Sequence, residues 1–148
     1  MQIRIANKQD EAAIRALATA VDPEADIARL GLINLEANYF GHDGAFFVAD
    51  EEKRILAAAG SRKRTEDLVE LKFLAVAADS RHKGLGKQLL TMIVKFARDL
   101  DYAAVVCEVD SSSVDLLRFL SANGFAPESK EPIPTPAVQT ITLKRSVR

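Results

Sequence analysis

Between Leu68 and Val109 the chain reads as strand, turn, helix, strand, and this succession constrains the fold more than any other feature. From Leu68 to Val76 the pattern alternates, with Val69, Leu71, Phe73 and Ala75 assigned to one face and Glu70, Lys72, Leu74 and Val76 to the other. From Gly84 to Leu100, the residues Leu85, Leu89, Met92, Ile93, Phe96, Ala97 and Leu100 form an apolar stripe at helical spacing. Ala103 to Val109 is mostly apolar and rich in β-formers, as expected for a strand covered on both faces. Such a unit closes as a right-handed crossover between two parallel strands.

The flanking sequence supplies the remaining elements. Ile3 and Ile5 alternate with polar residues in a short strand, and Asn7 is placed to cap a helix from Lys8 to Val21. Pro23 suits the first turn of a second helix, with Ile27, Leu30 and Leu35 inward and Gly31 interrupting it. Two strands follow, Phe46 to Ala49 and Arg54 to Arg62, joined by a charged turn at Asp50 to Lys53. The basic run Arg62-Lys63-Arg64 reads as a solvated hairpin tip. Ser111 to Ser113 cap a last helix carrying Leu116, Leu117 and Leu120, which Asn123-Gly124 ends. Pro132, Pro134 and Pro136 predict a loop, and Ala137 to Leu143 a closing strand. The order is β-α-α-β-β-β-α-β-α-β-β.

Composition narrows the functional classes. At 148 residues the chain is expected to be one domain, and 48% hydrophobic with 28% charged residues is ordinary globular composition. A net charge of −1 gives no basic footprint for nucleic acid. The apolar runs are too short to cross a membrane, and the start of the chain turns polar at once. A single cysteine, Cys107, allows no internal disulfide and fits a reducing compartment, so a soluble cytoplasmic protein is expected. Cys107 reads as a small core residue. His42, His82 and Cys107 lack metal-ligand spacing, so no metal is expected.

The chemistry concentrates in the turn Arg81-His82-Lys83-Gly84-Leu85-Gly86, followed by Lys87. A helix start leaves backbone N–H groups unpaired, and its dipole favours negative charge. Glycines let an anion approach that backbone, and Arg81, His82, Lys83 and Lys87 surround it with cationic groups. The mononucleotide phosphate loop is excluded, because Arg81 and Gln88 stand where it needs glycine and Ser or Thr. The dinucleotide fingerprint fits poorly, with Leu89 at its third glycine. Spacing alone also fits glycines that only pack a helix against a sheet.

Arg81-x-x-Gly84-x-Gly86, between a strand ending Leu74-Ala75-Val76 and a long amphipathic helix, resembles the Gcn5-related N-acetyltransferase (GNAT) superfamily. The likeness extends to Gly44–Ala49, Glu70–Val76, Cys107-Glu108-Val109 and Asn123-Gly124-Phe125. It implies an α+β three-layer fold, with a mixed, mostly antiparallel sheet of six or seven strands flanked by four helices. It implies acetyl-CoA as co-substrate, held by Leu74, Ala75 and Val76 along the pantetheine arm and by Arg81 to Lys87 at the pyrophosphate. A bulge in the fourth strand would splay it from the fifth.

The reaction implied is direct attack of an amine on the thioester, with a carboxylate taking the amine's proton. Glu70 stands where several family members carry that base, and Glu108, among apolar neighbours that predict partial burial, is the second candidate. Glu70 also reads as a surface partner of Lys72 or Arg62. Two positions depart from the family pattern: Leu120 replaces a tyrosine that protonates the leaving thiolate, and Ser113 replaces a pantetheine-contacting asparagine. The acceptor is a small-molecule or peptide amine, entering between the first two helices and the last loop. Asp22, Glu24, Asp26 and Glu36 make that side acidic, and Asn38 to Gly44 and Pro132 to Pro136 are expected as walls. A non-catalytic acetyl-CoA-binding module is the competing reading, and a homodimer is left open.

Overall fold

The computed structural model describes residues 1–128 and 140–148. The sequence predicts the element order found: β1 (Gln2–Ile5), α1 (Glu11–Val21), α2 (Leu35–Asn38), β2 (Ala45–Glu51), β3 (Arg54–Lys63), β4 (Leu68–Val76), α3 (Leu85–Asp99), β5 (Ala104–Asp110), α4 (Val114–Ala122), β6 (Ala126–Pro127) and β7 (Thr140–Ser146). The strands form one sheet in the order β1-β2-β3-β4-β5-β7-β6. Its β4–β5 pair is parallel and its other pairs are antiparallel, so the sheet is mixed and mostly antiparallel. The expected proline loop from Pro132 to Pro136 lies outside the described residues.

Two apolar cores cover the two faces. Leu85, Leu89, Leu90, Ile93, Val94 and Ala97 of α3 pack with Val69, Leu71, Val105 and Leu120 on one face, while Ile14, Leu17 and Ala18 of α1 pack with Phe46, Val48, Phe73 and Ala75 on the other. Burying each such Leu or Ile contributes roughly 1.5–3 kcal/mol before conformational entropy is counted.

Strand β4 departs from simple alternation. Gly60 pairs with Phe73 but Ser61 pairs with Leu71, which leaves Lys72 as an inserted residue opposite no partner. A one-residue bulge switches the faces of everything beyond it. Val69 and Leu71 therefore lie under α3, whereas Phe73 and Ala75, assigned from the sequence to that same face, lie under α1.

The second helix is much shorter than Pro23 suggested. The carboxylates of Asp22 and Asp26 accept the N–H groups of Glu24 and Arg29, and Gly31 takes a positive φ of 73°. These local bonds favour turns over a helix. Helix begins only at Leu35, after Asn34 caps it by accepting the Ala37 N–H at 3.0 Å. At α4, Ser113 occupies the cap position without a capping bond, and the Asp110 carboxylate accepts both the N–H and the hydroxyl of Ser112.

Candidate active site

The turn between β4 and α3 is shaped by backbone conformation. His82 and Gly84 have positive φ, 63° and 80°, on either side of Lys83. Alternating φ signs turn successive N–H groups toward one side, an anion-binding arrangement. Leu85, Gly86 and Lys87 form the first turn of α3, and their N–H groups find no acceptor among the described residues. The first inward bond runs from Gln88 N–H to Gly84 O at 3.0 Å. Arg81, His82, Lys83 and Lys87 are exposed, and none is ion-paired among the described residues.

The two glycines act differently. A side chain at Gly84 would meet open space, its nearest atom Gln88 Nε2 at 4.0 Å, so glycine is required there by its φ. Gly86 has no such φ, and a Cβ there would lie 3.3 Å from Phe119 of α4 and 3.7 Å from Val76. Gly86 thus fills the packing role that spacing alone allowed.

Next to this turn the sheet opens. β4 pairs with β5 only from Leu68 to Glu70, against Ala104 to Val106. Beyond Glu70, β5 continues against β7, while β4 stays with β3. Ala77 N–H bonds Leu56 O of β3 at 2.8 Å. Because backbone groups alternate in direction along a strand, those of Val76 and Leu74 point away from β3, into the gap. The Val76 carbonyl accepts there from Arg81 Nε at 3.4 Å.

A cavity of about 280 Å³ occupies the opening, lined by Ala18, Val21, Asp22, Ala25 and Leu30 from α1 and the turns after it, Leu71 to Ala75 of β4, Cys107 and Glu108 of β5, and Leu116 of α4. It therefore adjoins Leu74 and Ala75, two residues expected along the pantetheine arm. Val76 and Ser113, the other two positions named for that arm, are not among its lining residues.

The two candidate carboxylates are in opposite circumstances. Glu70 is buried, 9% exposed, and has no hydrogen-bond or ion-pair partner among the described residues. Neither Lys72 nor Arg62 pairs with it, although Arg62 is its cross-strand neighbour. Burial raises the pKa values of Tyr39 and Cys107, and the nearby charge of Glu70 adds to both shifts. Glu108 points outward: its side chain is 43% exposed and bonds Arg64 Nη2 at 2.9 Å. The burial expected from its apolar neighbours is absent because strand alternation sends Val105, Cys107 and Val109 to the core and Glu108 to the opposite face. Arg64, read from the sequence as part of a solvated tip, neutralises it.

Cys107 is buried as expected but also borders the cavity. Burial, followed by the charges of Glu70 and Glu108, pushes its thiol up to about 12, so at neutral pH it is protonated and a poor nucleophile. Leu120 is fully buried under the sheet and offers no proton. The sequence does not single out Lys72 for this site, and singles out Tyr39 only as part of the expected Asn38–Gly44 wall. Tyr39 is buried, donates its hydroxyl to Leu30 O at 2.5 Å and meets Phe46 edge-on at 4.8 Å. Its apolar neighbours are visible in the sequence, but only the fold brings it toward Glu70. Among the described residues no helix is long and apolar enough to cross a membrane.

Solved structures share this architecture. A GNAT-family acetyltransferase from Staphylococcus aureus matches with a TM-score of 0.86 at 19% identity, covering 99% of each chain. A GNAT-family acetyltransferase from Elizabethkingia anophelis, solved with acetyl-CoA bound, matches at 0.73 and 20% identity, covering 98% of this chain and 97% of that one. The fold is that of the GNAT acetyltransferases. The model of the acetyltransferase (GNAT) family matches residues 9–125, and the chain belongs to that family. Among curated proteins it is 27% identical to "Probable N-acetyltransferase camello" of Xenopus laevis over 100 residues, which is 66% of this chain and 46% of that protein. It is 26% identical to human N-acetyltransferase 8B over 107 residues, 68% of this chain and 47% of that protein. The chain thus spans about half the length of the curated relatives it matches.

Proposed function

We propose that residues 1–148 act as one acetyltransferase unit that moves the acetyl group of acetyl-CoA directly to a primary amine, with Glu70 as general base. The observation that carries this reading is the β4–β5 opening, whose cavity is lined by β4 from Leu71 to Ala75, with the buried, unpartnered Glu70 just before that stretch and the unpaired backbone turn just after the strand. The N–H groups of Leu85 to Lys87 and the cations around them suit a pyrophosphate. The backbone of Leu74 and Val76 suits the amide-bearing pantetheine arm, which would lead the thioester to the cavity.

In the reaction, the amine nitrogen bonds to the thioester carbonyl carbon. Its proton passes to Glu70 through water, and the tetrahedral adduct collapses with loss of the C–S electron pair to sulfur. Water reprotonates the thiolate, since Leu120 has no proton to give. Glu70 is favoured over Glu108 because it is buried and unpaired, while Glu108 is committed to Arg64. That same Leu120, fully buried, motivates the second reading, a module that binds acetyl-CoA without turnover.

A thermal shift with acetyl-CoA and a thiol-release assay over an amine panel separate the two. Binding at a hundred times Kd stabilises by about 2.7 kcal/mol. Stabilisation with thiol release supports transfer, stabilisation alone supports the module, and no stabilisation defeats both.

A further inference from the structure

Lys72 has no assigned role in the transfer, yet its position is unusual. It is the inserted residue of the β4 bulge, opposite no β3 residue. It is half-buried and borders the cavity. Among the described residues it has neither an ion-pair partner nor a side-chain hydrogen bond. A half-buried ammonium without a partner has no countercharge in the described protein, and such a wall suits a ligand that brings one.

The rest of the lining limits what that ligand is. Among the described residues, only Asp22 and Glu108 add further charge to the cavity wall. Glu108 is neutralised by Arg64 at 2.9 Å, and Asp22 accepts the Glu24 N–H at 3.0 Å while keeping its negative charge. The remaining lining is apolar apart from the Cys107 thiol. One negative and one unpaired positive side chain on an otherwise apolar wall complement a molecule with an amine, a carboxylate and a small apolar body. The volume bounded by the described residues, about 280 Å³, lies just below the usual range for small-molecule sites (~300–1,000 Å³), which favours a free small molecule over a peptide.

We propose that the acceptor is an apolar α-amino acid or a close analogue, and that Lys72 selects it by pairing with its carboxylate. This deepens the acetyl-transfer reading and rests on it. Lys72 is a specificity residue and takes no part in proton transfer.

The test compares alanine, valine, leucine, methionine and phenylalanine, each with its own amide and its decarboxylated amine, on the wild type, Lys72→Met and Lys72→Arg. In the wild type at least one free amino acid should exceed its amide by about tenfold or more in kcat/KM, as expected for loss of a charge-assisted pair. Lys72→Met should erase most of that preference through KM and leave acetyl-CoA affinity intact. Lys72→Arg should restore part of the preference. Equal use of acids and amides by the wild type, a preference that survives Lys72→Met, or better use of peptides beginning with these residues would overturn the assignment.

Calorimetric titration of the same compounds into the coenzyme A complex gives a readout independent of turnover. Carboxylate-dependent binding lost in Lys72→Met upholds the site even if no amine is acetylated, an outcome that would count against transfer alone. Absence of such binding defeats the site even if other amines are acetylated.

Discussion

The two halves of the candidate site are built from different material. The coenzyme half is mostly backbone: the φ signs of His82 and Gly84, the unpaired N–H groups of Leu85 to Lys87, and the gap-facing amides of Leu74 and Val76. The proposed acceptor half is mostly side chain: Lys72, Asp22 and Glu108 on the cavity wall, Arg64 paired with Glu108, and the buried Glu70. A backbone site tolerates wide variation around it so long as glycine stands where φ demands it. A side-chain site depends on which face of a strand each residue occupies, and one inserted residue decides that. Substitutions at Gly84 should therefore act on binding of the coenzyme, and substitutions at Glu70 on rate alone.

The largest expected effect is at Gly84. Gly84→Asp combines a Cβ at φ 80° with a carboxylate among N–H groups meant for phosphate. It should weaken acetyl-CoA binding by about 100-fold or more, a few kcal/mol of lost and repelled charge. Gly84→Ala is the control: space is open there, so only the left-handed strain of about 1–2 kcal/mol should appear in a melting curve. If the Asp variant folds and binds acetyl-CoA like the wild type, the coenzyme half is misassigned. Next in size is Glu70→Gln, expected to lower kcat by about 10²–10⁴ with acetyl-CoA affinity unchanged. A loss of affinity without a loss of rate would show that the two halves are not separable.

What the sequence made legible follows the same division. The order of elements and the glycine turn could be read because helical stripes and φ-demanding glycines are local signals; Gly84 and Gly124 both take the positive φ that glycine accommodates. The bulge was expected only through the family resemblance, and its position at Lys72 could not be read, since being the inserted residue is a property of pairing with β3. Phe73 and Ala75 were consequently assigned to the face of Val69 and Leu71, whereas they lie under α1. Glu108 appeared buried because its sequence neighbours are apolar, while the pleat turns it toward Arg64, a partner distant in sequence. The second helix failed on competition, where the Asp22 and Asp26 side chains bond nearby N–H groups before a helix can start.

A smaller effect tests the contrast between the two carboxylates. Glu108→Gln removes one partner of an exposed pair, and such pairs contribute about 0–1 kcal/mol. Rate and stability should each change less than about threefold to fivefold in their constants, as they should for Arg64→Ala. A loss in Glu108→Gln that matches Glu70→Gln would move the base to β5 and reverse the argument from burial.

The smallest expected effect is at Cys107, which borders the cavity without serving either half. With its thiol pushed up to about 12, the reactive thiolate is about 10⁻⁴ of the population at pH 8. Iodoacetamide should therefore label the native protein at least about 100-fold more slowly than the urea-unfolded chain. The sign for stability follows from the raised value. The folded state holds the proton where the unfolded state releases it, so this contribution is complete below pH 9 and lost as pH rises from about 9 toward 12. Cys107→Ala should remove that alkaline component and leave acetyl transfer within about twofold, because a protonated, buried thiol supplies neither a base nor a nucleophile. Rapid labelling at pH 8, with transfer lost in step, would place an ionised thiol beside the thioester and add a third functional group to the acceptor half.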